Sequence, residues 1–339
     1  MSLIESRYSR QILYPPIGEG GQQRLGAAHA AVIGCGATGA AAAGLLARAG
    51  IGKLTLIDRD FVEASNLQRQ LLFDEADVRD VLPKAEAARR KIALFNSQVE
   101  VRAQVADLTP SNIAELLEDA AILLDATDNF ETRYLLNDFA IQQRRPWIYA
   151  AALGAYAVTM NILPGETACL ACLFPQPPEG AVDTCDTAGI LNTAVNFAAS
   201  IQVSEALKFL VGAKDAMRRT LISRDLWSNE QSEIPASAPR HGCAVCQRFD
   251  FAHLRGENRP QITLCGRNSV QIHEHHRPVD FAEMERRLAP HGQVKFNRML
   301  LRFEHGIYTL TVFADGRAIV QGTTDPALAR SLYARFIGS

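Results

Sequence analysis

Over the first half of the chain, short wholly apolar runs alternate with stretches of helical periodicity, the pattern left by parallel strands buried on both faces. The run AAVI (30–33) enters a glycine-rich turn, GCGATG (34–39); the alanine-rich AAAAGLLARAG that follows predicts a helix, and KLTLID (53–58) a second strand. Strand, glycine turn, helix and strand make one βαβ unit. A helix is expected from Pro83 to about Asn96, a strand over VEVRAQ (99–104), a helix near 110–118, and a buried strand in AILLDATDN (121–129) that ends in polar side chains. PWIYAAALG and YAVTMNIL carry the sheet further, with Gly154 between them.

From Pro164 the texture changes. PGETACLACLFPQPPEGAVDTCDTAGI (164–190) is rich in Pro, Gly and Thr, so it is read as loop, and it holds three cysteines. A helical pattern returns over 190–211, with Ile190, Val195, Phe197, Ile201, Leu207 and Leu210 apolar. A second soft region, PASAPRHGCAVCQRFDFAHLRGENRP (235–260), is the best boundary. Beyond it come the strand QITLC, a helix within VDFAEMERRLAP, strands around VKFNRMLLRFEHG, YTLTVFADG and RAIVQG, and a last helix from Asp325, with Asp315-Gly316 as a hairpin turn. The predicted fold class is α/β: a Rossmann-like nucleotide-binding domain over 1–250 whose mostly parallel sheet continues into further strands, a linker over 251–260, and a small α+β domain over 261–339.

The 339 residues carry 35 Lys and Arg against 37 Asp and Glu, a net charge of −2 that gives no nucleic-acid footprint. No apolar run is long enough to span a bilayer, and MSLIESRYSR lacks the apolar segment of a signal peptide, so a cytoplasmic address is expected, with no membrane partner. Seven cysteines are present, four of them in two C-x-x-C pairs, Cys169 with Cys172 and Cys243 with Cys246. In a reducing compartment this spacing points to metal ligation before disulfides, with Zn²⁺ as the ion and redox use of one pair as the other reading.

Gly34, Gly36 and Gly39 fit G-x-G-x-x-G between a strand and a helix, where the turn lets phosphate approach and the helix N-terminus offers unpaired amides; a purely structural tight turn is the bland reading. Asp58 ends the next strand, placed to accept from a ribose. The motif alone suggests NAD. Yet LIDRDFVEASNLQRQ adds Asn66, Arg69 and Gln70, and Lys84 follows, which is more phosphate-directed polarity than hydride transfer requires. Arg69 and Lys84 could each instead be solvated surface charges. Asp125 and Asp128 stand at a strand end, where a carboxylate suits Mg²⁺ bound with phosphate oxygens; Asp128 could instead cap the helix that begins near Phe130.

Taken together, RYSRQ (7–11), GCGATG, LIDRDFVEASNLQRQ, the lysine of Pro83-Lys84, DATDN (125–129), the two C-x-x-C pairs and TCDTAG (184–189) resemble the ThiF/MoeB/HesA family over about residues 5–248. The family adenylates the C-terminal glycine of small ubiquitin-fold proteins. The resemblance implies ATP over the glycine loop, ribose on Asp58, triphosphate among Asn66, Arg69, Gln70 and Lys84, and Mg²⁺ on Asp128. Arg10 corresponds to the arginine that reaches into a neighbouring subunit's site, so a homodimer is implied. The four paired cysteines become a zinc knot. Ala37-Thr38 stands where many relatives carry Gly and Leu, which leaves the turn glycines in place.

Cys185 precedes the helix expected to start near Ala188, whose N-terminus would favour its thiolate; a plain buried cysteine is the alternative. By resemblance it aligns with a cysteine that serves as nucleophile or sulphur relay after adenylation, alongside a sulphur-donor protein. Cys35 and Cys265 are expected to be packing residues, and HEHH (273–276) lacks metal-binding spacing. TCDTAGI favours the ThiF branch, with a ThiS-like sulphur carrier ending in Gly-Gly; a MoaD-like carrier, or one serving tRNA thiolation without direct nucleic-acid contact, is the close alternative. A nicotinamide-dependent oxidoreductase and a non-catalytic scaffold remain open. No catalytic role is read for residues 261–339.

Overall fold

Strand β1 (His29–Ile33) is flanked by β2 (Lys53–Ile57) and β4 (Ile122–Asp125), both parallel to it. β3 (Glu100–Gln104) pairs parallel with β2, and β5 (Trp147–Leu153) parallel with β4. β6 (Tyr156–Ile162), β7 (Thr220–Asp225) and β8 (Gln231–Pro235) add antiparallel, completing an eight-stranded sheet of order β3-β2-β1-β4-β5-β6-β7-β8. This computed structural model describes residues 7–176, 187–257, 262–265, 269–272, 279–296, 299–314 and 316–338, divided into two compact units at 257/258.

The central strands are mostly apolar because both sheet faces are covered. Ala30, Val32, Leu54, Leu56, Ile122 and Leu124 point into one core with α3 (Ala37–Ala49), α5 (Lys84–Phe95) and α9 (Asn192–Leu210). Ala31, Ile33, Ile57 and Leu123 point into the other with α6 (Ile113–Leu117) and α7 (Phe130–Gln142). Before β1 lie α1 (Ser9–Ile12) and α2 (Gly18–Ala27), and α4 (Glu75–Arg79) precedes α5. On α9, Gln202 is fully buried and its Nε2 donates to the carbonyls of Asp125 (2.7 Å) and Ile148 (2.8 Å). That contact gives both buried carbonyls a partner from α9.

The helix expected near Ala188 begins instead at Asn192. Gly189 takes a φ of 75°, its carbonyl accepts from the Gly154 amide, and Leu191 donates back to Gly154, so the chain is held extended against the β5–β6 turn before it can coil. The loop read at 164–190 also contains a short helix, α8 (Leu170–Leu173), around the first cysteine pair. β7 and β8 lie in stretches read neither as strand nor helix. β8 is exposed at every position, and Glu233 and Pro235 keep this edge from pairing further.

The second unit is a six-stranded antiparallel sheet, ordered β11 (Gln293–Phe296), β12 (Leu300–His305), β13 (Tyr308–Phe313), β14 (Ala318–Gln321), β10 (Ser269–Ile272), β9 (Ile262–Cys265). Leu310 and Val312 are wholly buried, and with Phe303 and Val320 they face α10 (Phe281–Leu288) and α11 (Pro326–Phe336). Asp280 and Asp325 cap these helices by accepting first-turn amides. Among the described residues no helix is long and apolar enough to cross a membrane. Residues 273–276 and the side chain of Cys265 lie outside the described set.

Candidate active site

The glycine loop is fixed by sterics at two of its three glycines. Gly34 has a φ of 90°, and a Cβ there would lie 2.7 Å from the Ala126 carbonyl oxygen; on Gly39 it would lie 1.8 Å from that of Gly34. Gly36 differs. Its φ of −69° suits any residue, and a Cβ there would meet nothing within 4 Å. The space over Gly36 is therefore open where the N-terminus of α3 begins, a cradle that a side chain would fill and a phosphate can approach.

Asp58 fastens this loop to the end of β2. Its Oδ2 accepts from the Cys35 amide at 2.5 Å and its Oδ1 from the Asp60 amide at 2.7 Å. Burial pushes the Asp58 carboxyl up to about 6, against the pull of the Lys84 ammonium. Cys35 is wholly buried, and burial followed by the Asp58 charge pushes its thiol well above the usual value, which fits a packing residue.

The segment after Asp58 folds as a 3₁₀ turn, Ala64–Asn66, in which the Asn66 side chain accepts from the Glu63 amide at 3.1 Å. Arg69 lies half-buried, and its Nη1 reaches the Ser65 carbonyl at 2.9 Å. Gln70 is buried, and its Oε1 has no hydrogen-bond partner among the described residues. Lys84 opens α5, tied back by its amide to the Asp60 carbonyl (2.8 Å) and by Nζ to Asp60 Oδ2 (3.1 Å). Burial lowers the Lys84 ammonium, but Asp60, Asp58 and Asp128 outweigh it, so Lys84 is a buried, permanent cation.

Asp128 does not cap the following helix: Asn129 does, accepting from the Thr132 amide at 2.8 Å, which leaves the Asp128 carboxylate exposed. The turn that carries it starts at Asp125, buried at the end of β4, whose Oδ1 accepts from Thr127 N (2.9 Å) and Oγ1 (2.7 Å). Burial raises the Asp125 carboxyl, opposed by Arg133. Gly34, Gly36, Gly39, Asp58, Lys84 and Asp128 are thus gathered at the C-terminal ends of β1, β2 and β4, the place where such sheets take ligands.

Arg10 is not brought to this group. It is exposed on α1, which docks at the opposite end of α3: Gln11 and Gln22 donate to the Ala49 carbonyl, and Asn96 bridges Tyr8 Oη and the Ala47 carbonyl. Thirteen residues of α3 set that end about 20 Å from the glycine loop along the helix.

The two C-x-x-C pairs meet. The sulphurs of Cys169, Cys172, Cys243 and Cys246 all lie within 4.8 Å of one another, with Sγ–Sγ separations of 3.7 Å (169–172), 3.7 Å (169–243) and 3.4 Å (172–246). Tetrahedral zinc with Zn–S bonds of about 2.3 Å needs sulphurs about 3.8 Å apart, so the cluster is consistent with a zinc-binding motif. The Arg240 amide donates to Cys172 Sγ at 3.3 Å, and Asn137 on α7 holds α8 by accepting from the Leu170 amide at 2.9 Å. Cys185 lies outside the described residues.

Sequence reading does not single out Arg133, Asn137 or Gln202. The available signal is polar side chains inside otherwise apolar helical stretches, FETRYLLNDFAIQ and NTAVNFAASIQVSEALKFL, which normally marks a buried polar contact.

Residues 8–245 match the ThiF family. Over 339 aligned residues the chain is 45% identical to the sulfur carrier protein ThiS adenylyltransferase of Bacillus subtilis, covering 99% of this chain and all of that one. It is 39% identical to a sulfur carrier protein adenylyltransferase of Thermus thermophilus, over 71% of this chain and 90% of the relative. A crystal structure of E. coli MccB with ATP superposes with a TM-score of 0.62 at 25% identity, covering 71% of this chain and 74% of that one. The end-to-end match to one relative and the family match across the whole nucleotide-binding unit lead to one assignment: this chain is a member of the ThiF family.

Proposed function

We propose that the protein is an ATP-dependent adenylyltransferase that activates the C-terminal glycine carboxylate of a ThiS-like ubiquitin-fold sulphur carrier and releases pyrophosphate, serving thiazole synthesis. The observation that carries this reading is the convergence of an open Gly36, Asp58, a buried Lys84 cation and an exposed Asp128 at one end of the sheet. The function named for the Bacillus relative and the ATP bound to MccB support it.

The reaction is an attack of one anion, the carrier carboxylate, on the α-phosphorus of another. The nucleophile is already ionised, so no general base is needed; the barrier lies in bringing like charges together and in the charge that grows on pyrophosphate. The amides around Gly36 receive phosphate, Asp58 accepts from the ribose, and Lys84 and Arg69 offset the negative charge as it shifts to the leaving group. Asn66 and Gln70 orient the phosphate chain. Asp128 would hold Mg²⁺, which supplies further charge compensation on the phosphate oxygens. The four clustered cysteines would hold Zn²⁺ as a fold-stabilising ion away from the chemistry.

Arg10, held at the far end of α3 from its own glycine loop, would complete the site of a second copy in a homodimer. Cys185 would act after adenylation, as nucleophile or sulphur relay with a sulphur-donor protein, and would be dispensable for the first step. Purified protein should catalyse ATP–pyrophosphate exchange that depends on a ThiS-like carrier ending in Gly-Gly. Exchange with a MoaD-like carrier alone would move the assignment to that pathway, and NADH binding without exchange under any carrier would overturn it.

A further inference from the structure

The roles above leave the buried charge of Arg133, beside the site, without a task. Arg133, on the first turn of α7, is almost fully buried, and its guanidinium lies 5.1 Å from the ring centre of Phe130 and 5.2 Å from that of Tyr149. Its Nε approaches Asp125 Oδ2 at 3.4 Å, and its Nη2 donates to the Thr127 carbonyl at 2.5 Å. Asp125 in turn holds the amide and hydroxyl of Thr127 through its other oxygen. Thr127 is therefore gripped by three bonds from two buried, oppositely charged side chains, and Asp128 is the next residue.

The same turn touches the phosphate loop. The Ala126 amide donates to the Ile33 carbonyl at 2.8 Å, and the Ala126 carbonyl is the atom that forbids a Cβ on Gly34. A shift of Thr127 would displace the Asp128 carboxylate relative to both the loop and Lys84. The rings of Phe130 and Tyr149 flank the guanidinium, and Gln202 pins the Asp125 carbonyl from behind. Any buried ion pair needs partners, but here the bonds converge on Thr127, the residue directly before Asp128.

We propose that Arg133, with Asp125, is a positioning pair for the Asp128 carboxylate, setting where Mg²⁺ is held against the triphosphate. The inference rests on the adenylation reading. It assigns no contact between Arg133 and ATP; the effect passes through Thr127.

The test is calorimetric titration of ATP into the full-length protein, once with Mg²⁺ and once with EDTA, together with Mg²⁺-dependent pyrophosphate exchange. The unsubstituted protein should bind ATP more tightly with Mg²⁺. Arg133→Met should abolish most of that gain while affinity in EDTA stays within about twofold, and Asp128→Asn should reproduce the loss. In exchange, the Mg²⁺ concentration for half-maximal rate should rise at least about tenfold, with partial recovery in Arg133→Lys. Should Arg133→Met fail to fold, Asp125→Asn, which preserves shape and removes the ion pair, should show the same selective loss. A full Mg²⁺ gain in Arg133→Met, or in Asp125→Asn where that variant is the one available, overturns the positioning role and leaves adenylation standing. Absence of ATP binding in the unsubstituted protein overturns adenylation itself, and this proposal with it.

Discussion

The amide of Cys35, inside the glycine loop, donates to the carboxylate of Asp58 at the end of the next strand, 2.5 Å away. One side chain therefore shapes the glycine loop and, on the proposed reading, also accepts from the ribose. Burial pushes the Asp58 carboxyl up to about 6, and only the carboxylate is a full acceptor for ribose hydroxyls. ATP affinity should fall as pH drops below about 6. For the fold the sign is opposite: a raised carboxyl stabilises the folded state fully below its ordinary value of 3.8, and that contribution is lost as pH rises through about 6. ATP titrations between pH 5 and 8 should show the step in the unsubstituted protein and none in Asp58→Asn.

Gly36 and Gly39 separate binding from folding. Gly36→Ala meets no atom of the chain and keeps an ordinary φ, so its melting temperature should be unchanged or slightly raised while ATP binding weakens about tenfold or more. Gly39→Ala drives a Cβ into the Gly34 carbonyl and should lower the yield of folded protein. Thermal melts read beside ATP titrations distinguish the two; unaffected ATP binding in Gly36→Ala would remove the phosphate from that space.

Arg69 and Asp128 are not buried, so their removal should spare the fold. Arg69→Ala and Asp128→Ala should each cut carrier-dependent pyrophosphate exchange by about 10²–10³-fold, with melting temperatures within about 2 °C of the unsubstituted protein. Near-normal exchange in both would sink the assignment of the site.

Metal analysis should find zinc at one equivalent per chain. Stripping it with a strong chelator, or Cys172→Ser, should lower the melting temperature by about 10 °C or more, because four clustered sulphurs cannot all ionise without a cation. Pyrophosphate exchange measured well below that melting point should be far less affected; a loss of exchange before any loss of structure would give the cluster a direct catalytic role.

The nucleotide half of the molecule was legible because its signals are local. AAVI, the glycine turn and KLTLID follow closely in the chain, and each is mainly apolar or sterically required. What escaped depended on contacts between distant segments. β7 and β8 carry mixed polar sequences, and pairing of β7 with β6 and of β8 with β7 gives them their strand form. β10, SVQI, buries a serine and a glutamine that no periodicity marks as core. The start of α9 is set by Gly154, far earlier in the chain. Within the site, spacing identified each cysteine pair, but only folding brings the pairs together. Arg133 and Asp125 acquire meaning only once Thr127 is seen between them.

The sulphur cluster also alters what a break in the backbone means. With Zn²⁺ held as proposed, it would join positions 74 residues apart, and α9, β7 and β8 run between them. The exposed turn at Trp227, between β7 and β8, lies inside that closed circuit. A protease cut there would open a ring, not sever a thread: the two fragments would stay together through the paired strands and through the cysteines. Between those two cysteine pairs, a bound Zn²⁺ would make the integrity of the particle partly independent of the continuity of its chain.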